Sequence, residues 1–397
     1  MLKLHTLRAH SGDCLILEFA KNNSKSKYIL IDGGPRNVFK DYLEPYLQKH
    51  PGIEFELAVG THCDDDHIIG LSDLIDKMYS QGFSKYKIAK IKEFWYNSLE
   101  EFLNSDDDKK NRMTRALESP KENDPEFDQN IEQRIVEFME LDEPEFVTRS
   151  YKSGIELLQK INDMKIPINK GFKKELVSLD SSNLTRKFDE YLTLEIIGPF
   201  QEQIDDLLEK WTKWVEKYGH KLRSRDFRGV QKDRSAPNLS SIMFLAEADG
   251  KTILFTGDAR EDHIINGLRE RNILTGETIE VDILKLPHHG SERNVSKEFF
   301  ETVLAKTYIA SGNGDHHNPH ANTLKMIAES AKGRGVTIYL TYDSKDIDDT
   351  KESGKNRKKR LQEQLEEFEK GCPKKDYDYE LKFIDSDKDV FTFVLSE

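Results

Sequence analysis

Two histidines and three aspartates stand within one short stretch of the chain, THCDDDHIIG at positions 61–70. Side chains two residues apart in an extended loop point the same way, so His62 and Asp64 can close on one cation. Asp66 and His67 are adjacent and diverge, which suits ligands of a second cation. Imidazole and carboxylate together favour zinc, manganese or iron over a thiolate-type site. Two ions at roughly 3.5–4 Å can activate a water molecule and hold a leaving oxygen.

An acidic first turn of a helix is the alternative interpretation of this stretch. Aspartates complement the positive end of a helix dipole, and His67 would then serve as a cap. That interpretation explains the aspartates but leaves the two histidines without a role. We therefore interpret positions 62–67 as a metal-binding loop.

Predicted strands precede this loop and the other residues that could do chemistry. The apolar run from Phe55 to Val59 predicts a buried strand before the loop, and apolar residues at helical spacing predict a helix after it. Asp32, Asp258 and the pair His288-His289 each follow another predicted strand. In layered α/β folds the loops at one end of a sheet converge, so we expect these side chains to meet. Asp32 either supports the metal loop or is a simple turn residue.

The composition limits the kinds of protein that this chain can be. The chain has 397 residues, of which 34% are charged and 36% hydrophobic, and its formal net charge is -13. This charge argues against a broad basic face for duplex nucleic acid, although bound cations can still attract phosphate. Three scattered cysteines predict a reducing compartment without disulfides. No signal pattern or membrane-length apolar run is present, so we expect a cytoplasmic protein that is not inserted in a membrane.

We predict a single domain over residues 1–397 with two charged excursions. Residues 97–187 are highly charged and poor in strand-like runs, which predicts a mostly helical insertion within the domain. It is either a solvated surface excursion or an element that covers substrate or docks a protein partner. Residues 343–375 are also charged and predict a helix or a mobile loop.

Three motifs carry a family resemblance: HCDDDH at 62–67, TGD at 256–258 and LPHHGS at 286–291. They resemble the metallo-β-lactamase fold superfamily, and within it the hydrolase domain of ComEC-type DNA-uptake competence proteins and their free-standing relatives. The resemblance spans both ends of the chain but not residues 97–187 or 343–375. It implies an α/β fold, a four-layer αβ/βα sandwich with metals at one edge, and a bacterial origin.

The resemblance also divides the metal ligands between two divalent ions, zinc or manganese, with magnesium as a further option. The implied ligands are His62 and Asp64 for the first ion, Asp66, His67 and His288 for the second, and Asp258 as the bridge. The third histidine usual at the first site has no counterpart, because His220 is the one histidine between the loop and Asp258 and lies in a polar helix. That site is therefore either oxygen-rich, favouring manganese or magnesium, or filled only with substrate.

Four more residues are candidates for contact with substrate or with the ligands. His317 is either a proton donor or part of a plain polar loop. His289 is expected to orient a ligand or contact substrate, since adjacent residues rarely bind one ion together. Ser291 is either a hydrogen-bond donor to phosphate or a turn serine, and Asn238 stands ahead of a strand within the resemblance.

The chemistry implied is metal-assisted hydrolysis, with Asp66 or Asp258 orienting the water and taking its proton. Phosphodiesters of DNA or RNA are the leading substrates, because two hard cations suit two non-bridging oxygens and ComEC-type domains are thought to be nucleases. Hydrolysis of a small ester, lactone or cyclic nucleotide is the alternative. A non-catalytic fold that binds partners through residues 97–187 is a further alternative.

Overall fold

The computed structural model describes residues 1–21, 24–81, 88–97, 145–173, 176–205, 209, 240–331 and 333–396. Within these residues the chain forms two β-sheets, with helices against one face of each. No helix in these ranges has the length and apolar character needed to cross a membrane.

The first sheet combines the N-terminal strands with the last strand of the chain. Its strands are β1 (Leu2–Leu7), β2 (Leu15–Phe19), β3 (Lys27–Ile31), β4 (Glu54–Gly60), β5 (Lys90–Ile91), β6 (Phe94–Tyr96) and β15 (Val390–Ser396). The strand order is β15-β1-β2-β3-β4-β5, with β6 also paired to β4. Strands β15 to β3 pair antiparallel, whereas β3 to β6 run parallel. The parallel strands therefore end at one edge of the sheet.

The second sheet is built from the later part of the chain. Its strands are β7 (Thr185–Phe188), β8 (Leu192–Gly198), β9 (Met243–Ala248), β10 (Lys251–Phe255), β11 (Ile279–Lys285), β12 (Val303–Ala310), β13 (Val336–Leu340) and β14 (Tyr379–Phe383). They lie in the order β14-β13-β12-β11-β10-β9-β8-β7. Strands β10 to β14 are parallel. The backbone N–H of Ile242, just before β9, donates to the Thr61 carbonyl after β4 at 2.8 Å, so the loop-bearing edges of the two sheets meet.

Helices follow many of the parallel strands and cover the outer faces. The helices are α1 (Glu44–Lys49), α2 (Asp65–Ser80), α3 (Glu145–Asp163), α4 (Glu261–Glu270), α5 (Lys297–Thr302), α6 (Ala321–Ala331) and α7 (Glu352–Gly371). A π-helical turn at Phe39–Leu43 leads into α1. Helices α1 to α3 contribute to the apolar cluster on the first sheet, and α4 to α7 contribute to the cluster on the second.

Three apolar layers separate four layers of secondary structure, and alternation along the strands shows why. In β4, Ala58 packs toward the helices, whereas its neighbours Leu57 and Val59 pack toward the other sheet. The inter-sheet core joins Leu57 and Val59 to residues such as Phe244 of β9. A strand buried on both faces in this way reads as a continuous apolar run. The predicted four-layer α/β sandwich is therefore confirmed.

The two charged stretches differ in what the structure describes. Of the predicted insertion at 97–187, residue 97 and residues 145–173 and 176–187 are described. There α3 packs Leu157 and Ile161 into the core beside α2, and the last three positions already belong to β7. The single domain and the insertion remain predictions. Within the 343–375 stretch, predicted as a helix or a loop, the chain forms α7.

A close contact between two glycines locks the start of α2 against the turn after β3. The N–H of Gly33 donates to the His67 carbonyl at 2.7 Å, and the N–H of Gly70 donates to the Gly34 carbonyl at 2.9 Å. A Cβ added at Gly70 would lie 1.9 Å from the Gly33 carbonyl oxygen. Because both partners are backbone, neither can move away without opening the turn. This contact holds the turn that carries Asp32 against the first turn of α2.

Gly70→Ala is expected to lower the free energy of unfolding by about 1–3 kcal/mol, because overpacking against backbone outweighs the higher helix propensity of alanine. Urea unfolding measures the change. Gly276→Ala is the matched control, since a Cβ there meets nothing within 4 Å. Equal unfolding midpoints for Gly70→Ala and the parent would contradict the packing argument.

Candidate metal centre

Loops from both sheets converge at the shared edge and bury a cluster of imidazoles and carboxylates. The loop after β4 supplies His62 and Asp64, and the first turn of α2 supplies Asp66 and His67. The remaining members are Asp32 after β3, Asp258 after β10, His288 and His289 after β11, and Asp13 in the turn between β1 and β2. These side chains follow separate strands and lie close together, as the sequence predicts.

Asp32 orients His67 through a short hydrogen bond. The Nδ1 of His67 lies 2.8 Å from Asp32 Oδ2, and Thr61 donates to the same carboxylate from its N–H and its hydroxyl, each at 2.8 Å. Because a carboxylate only accepts, Nδ1 must carry the hydrogen and Nε2 faces the cluster. That Nε2 lies 3.3 Å from Asp258 Oδ1. A carboxylate behind the ring is the usual support of a metal-binding histidine.

Asp13 occupies the corresponding position behind His289. Its Oδ1 lies 3.5 Å from His289 Nδ1, and its Oδ2 lies 2.7 Å from the ammonium of Lys285. Lys285 is 1% exposed and also donates to the Leu286 carbonyl at 2.9 Å. A buried carboxylate needs such a charged partner to stay ionised. Both carboxylates thus come from the first sheet, and Asp32 backs His67 of the same sheet whereas Asp13 backs His289 of the second sheet.

Asp258 stands at the centre of the cluster. Its Oδ2 lies 3.5 Å from His289 Nε2, 3.7 Å from His288 Nε2 and 3.9 Å from His62 Nε2. Burial by itself would raise the pKa of Asp258, yet the nearby histidines, His289 foremost, hold that pKa well below its usual range. One anionic carboxylate therefore faces four imidazoles, as a ligand shared between two cations would.

Two further carboxylates divide the imidazoles around Asp258 into two groups. In one group, His289 Nε2 lies 3.5 Å from Asp66 Oδ2, and His67 Nε2 lies 4.0 Å from Asp66 Oδ1. In the other group, His62 Nε2 lies 3.7 Å from Asp64 Oδ2. Tetrahedral ligands at about 2.1 Å from an ion are roughly 3.4 Å apart, close to these separations.

The pKa shifts and the unpaired buried atoms of the cluster are also those expected of a cation site. Burial raises the pKa of Asp66, but the nearby imidazoles of His289 and His67 lower it to about 2. Burial lowers the pKa of His62 to about 3, which leaves that ring neutral and able to act as a ligand. Within the described residues the Nε2 atoms of His62, His67 and His289 and the Oδ1 of Asp258 are buried without a hydrogen-bond partner. Buried polar atoms without partners are costly, and a metal ion would satisfy these.

The structure brings all six predicted ligands together. Of the pair His288 and His289, it is His289 that lies deeper in the cluster. His289, expected to orient or contact substrate, belongs to the compact group Asp13, His67, Asp258 and His289, whose ligand atoms all lie within 4.8 Å of one another. His288, predicted for the second ion, is one-third exposed, and its Nε2 approaches the same Asp258 oxygen as His62 and His289 do. Its Nδ1 contacts Asn294 Oδ1 at 3.0 Å. Because both residues have positive φ, 47° and 55°, the adjacent rings diverge around Asp258.

Sequence reasoning missed Asp13 and Lys285. Asp13 stands in the sequence Gly-Asp-Cys at 12–14, which by itself indicates only a turn. A lysine inside the apolar strand run VDILKL was the available signal, since a buried lysine requires a carboxylate partner. Nothing local identifies that partner.

The other predicted candidates lie at the rim or outside the described residues. Ser291 is buried, and its Oγ accepts from the N–H of Arg293 at 3.4 Å, as a turn serine does. The imidazole of His317 is exposed, and its centroid lies 6.4 Å from that of His320. Asn238 falls outside the described residues. Roles in contact with substrate remain predictions for these residues.

Comparison with known proteins gives one informative similarity. No family model matches the chain. The chain is 29% identical over 139 residues to ComE operon protein 3 of Bacillus subtilis (strain 168). The match covers 30% of this chain and 17% of that protein, so the chain corresponds to a minor part of its relative. The similarity agrees with the ComEC-type resemblance, while membership of the metallo-β-lactamase superfamily stays a prediction.

Addition of Mn²⁺ or Zn²⁺ to chelator-treated protein is expected to raise the melting temperature. A ligand at 100 times its dissociation constant adds about 2.7 kcal/mol to the free energy of unfolding. Asp258→Asn should abolish most of this increment, because it removes the charge shared by both groups of ligands. Glu93→Gln is the control, since Glu93 is a buried carboxylate just before β6 that pairs with Arg186 and is not part of the cluster. Equal increments in both variants would contradict the assignment.

Asp32→Asn and Asp13→Asn are each expected to weaken metal binding by about 10–100-fold, because each removes the carboxylate that orients a histidine. Isothermal titration of the chelator-treated proteins measures the affinity, and circular dichroism checks the fold. Unchanged affinity in Asp13→Asn would show that Asp13 serves only to neutralise Lys285.

Proposed function

We propose that this chain is a metal-dependent hydrolase and that it cleaves phosphodiesters as a nuclease. The observation that carries the proposal is Asp258, whose carboxylate lies within 3.9 Å of imidazole nitrogens from four histidines of two sheets. Bound divalent cations would lower the pKa of a water molecule and neutralise charge on phosphoryl oxygens. The similarity to ComE operon protein 3 agrees with this proposal without specifying the reaction.

The ligand set suits two divalent ions, with Asp258 as the shared ligand. Asp66, His67 and His289 would hold one ion, with Asp13 and Asp32 behind the rings. His62, Asp64 and His288 would hold the other, so that His288 takes the place of the histidine missing from the first site. Four imidazoles and three carboxylates fit zinc or manganese better than magnesium.

Asp66 is the residue we assign to the water. Its side chain is 21% exposed, whereas that of Asp258 is 3% exposed. Its pKa of about 2 keeps it anionic, so it can accept a hydrogen bond from the attacking water and orient it. His317, exposed at the rim, would donate a proton to the leaving oxygen.

Hydrolysis of a small ester, lactone or cyclic nucleotide is the second candidate, favoured by the net charge of -13. A purely binding role is disfavoured because a binding module has no need for four histidines around one buried carboxylate. Three free, buried cysteines suit the cytoplasm, where we place the protein. A protein partner at residues 97–187 would have to dock away from Leu157 and Ile161, whose side chains are buried.

Cleavage of labelled single-stranded DNA, duplex DNA and RNA with Mn²⁺ or Zn²⁺ tests the proposal. We expect the parent to cut at least one polymer, and Asp66→Ala to be slower by about 10²–10⁴-fold, the usual contribution of a group that handles the proton. Glu93→Gln should cut like the parent. A metal-loaded parent that cuts neither the polymers nor bis(4-nitrophenyl) phosphate would refute phosphodiester hydrolysis.

A further inference from the structure

A dense run of positive charge opens α7 in an otherwise acidic chain. Five cations stand at six successive positions, and we name residues 355–360, with the sequence KNRKKR, the basic segment. Lys355 and Lys359 are one helical turn apart and therefore share a face, and their side chains are 61% and 75% exposed. Their acidic neighbours, Glu352 at 3.9 Å and Glu363 at 3.7 Å, form only weak surface pairs. This face is available to an anion from solution.

The other face of the basic segment packs against the loop that carries His316 and His317. Arg357 and Arg360 lie 3.6 Å and 3.8 Å from the carboxylate of Asp315. A Cβ added at Gly314 would lie 2.4 Å from the Arg357 carbonyl oxygen, so the backbones touch there. The helix is therefore fixed beside this loop.

The same loop is bonded to the turn that carries two of the clustered histidines. Asn318 donates from Nδ2 to the His288 carbonyl at 3.2 Å, and the N–H of His320 donates to the Gly290 carbonyl at 3.1 Å. One loop thus separates the basic segment from the metal centre. A chain molecule with one phosphate at the ligands would pass over or beside this segment.

Charge is segregated along the interior of α7. Between Glu352 in the first turn and Lys370 in the last, cations fill positions 355–360, whereas carboxylates fill positions 363, 366, 367 and 369. The helix dipole acts on the terminal turns and does not require this segregation. The segregation concentrates positive charge beside the loop of His316 and His317, where it can attract an anion.

We propose that the basic segment docks the phosphodiester backbone of a nucleic-acid strand whose scissile phosphate lies at the metal centre. The inference rests on the proposed function and deepens it, because it favours a polymer over a small ester as substrate. The helix offers exposed lysines in a row and no built pocket, which suits backbone contacts without base recognition. Such contacts are electrostatic and must weaken with salt.

The test is the double charge reversal Lys355→Glu with Lys359→Glu. Fluorescence anisotropy of a labelled single-stranded DNA, and of an RNA of the same sequence, measures binding between about 50 and 200 mM salt, because this range resolves the loss of phosphate contacts. Asp66→Ala in both proteins prevents cleavage during the measurement. We expect at least about tenfold weaker binding at the lowest salt, and a slope of log Kd against log salt that is smaller by about 0.7 for each lost contact. The two polymers distinguish DNA from RNA as the preferred strand.

The matched control reverses two exposed lysines at the opposite edge of the first sheet, Lys21→Glu with Lys90→Glu. It changes the net charge equally, so an effect confined to the α7 variant is local. The neutral version, Lys355→Gln with Lys359→Gln, should show an intermediate loss of affinity. Circular dichroism checks that α7 remains folded in each variant.

Hydrolysis of bis(4-nitrophenyl) phosphate separates the two proposals. This small ester does not reach α7, so we expect the same kcat/KM in the parent and the charge-reversal variant with Asp66 intact. Equal affinity and equal salt slope in the α7 and control variants would overturn the docking proposal while leaving hydrolysis standing. A parent that binds strands through Lys355 and Lys359 but hydrolyses no phosphodiester would support docking and count against the proposed function.

Discussion

The carboxylate of Asp258 joins the two halves of the sandwich at one edge, since its oxygens lie within 3.9 Å of His62, His67, His288 and His289. A buried anion is costly unless charged or hydrogen-bonding groups surround it. The imidazoles supply that compensation, and they come from loops after β4 and β11, which belong to different sheets. The position of each sheet relative to the other is thus coupled to the chemistry of one side chain.

The fold positions these groups by backing each critical ring with a carboxylate. Asp32 from the first sheet holds His67, while Asp13, kept ionised by Lys285, holds His289. Asp32 and His289 both adopt positive φ, a conformation that costs non-glycine residues energy and persists only where the surroundings enforce it. The surroundings here are three apolar layers, which stabilise a rigid edge on which strained turns can be carried.

Charge is distributed unevenly over this protein, and the distribution matters for what can approach the centre. The net charge of -13 repels polyanions at long range. The local charge around the candidate metal centre is less negative. Bound cations would offset the carboxylates of Asp64, Asp66 and Asp258, and the basic segment of α7 lies one loop away. An acidic protein can therefore act on a phosphodiester if the positive charge is concentrated where the bond is cut.

The sequence alone predicted the layered α/β architecture and most of the residues that cluster at its edge. Apolar runs of strand length, followed by loops rich in histidine and aspartate, are local patterns that predict strands ending in such residues. The four-layer arrangement was implied by the family resemblance of three motifs. Local sequence could not decide between His288 and His289, since their directions depend on left-handed backbone that the tertiary contacts enforce. Nor could it pair Asp13 with Lys285, because residues so distant in the chain meet only when the two sheets stack. The tertiary structure decided these points, because side-chain direction and long-range pairing arise from packing rather than from local pattern.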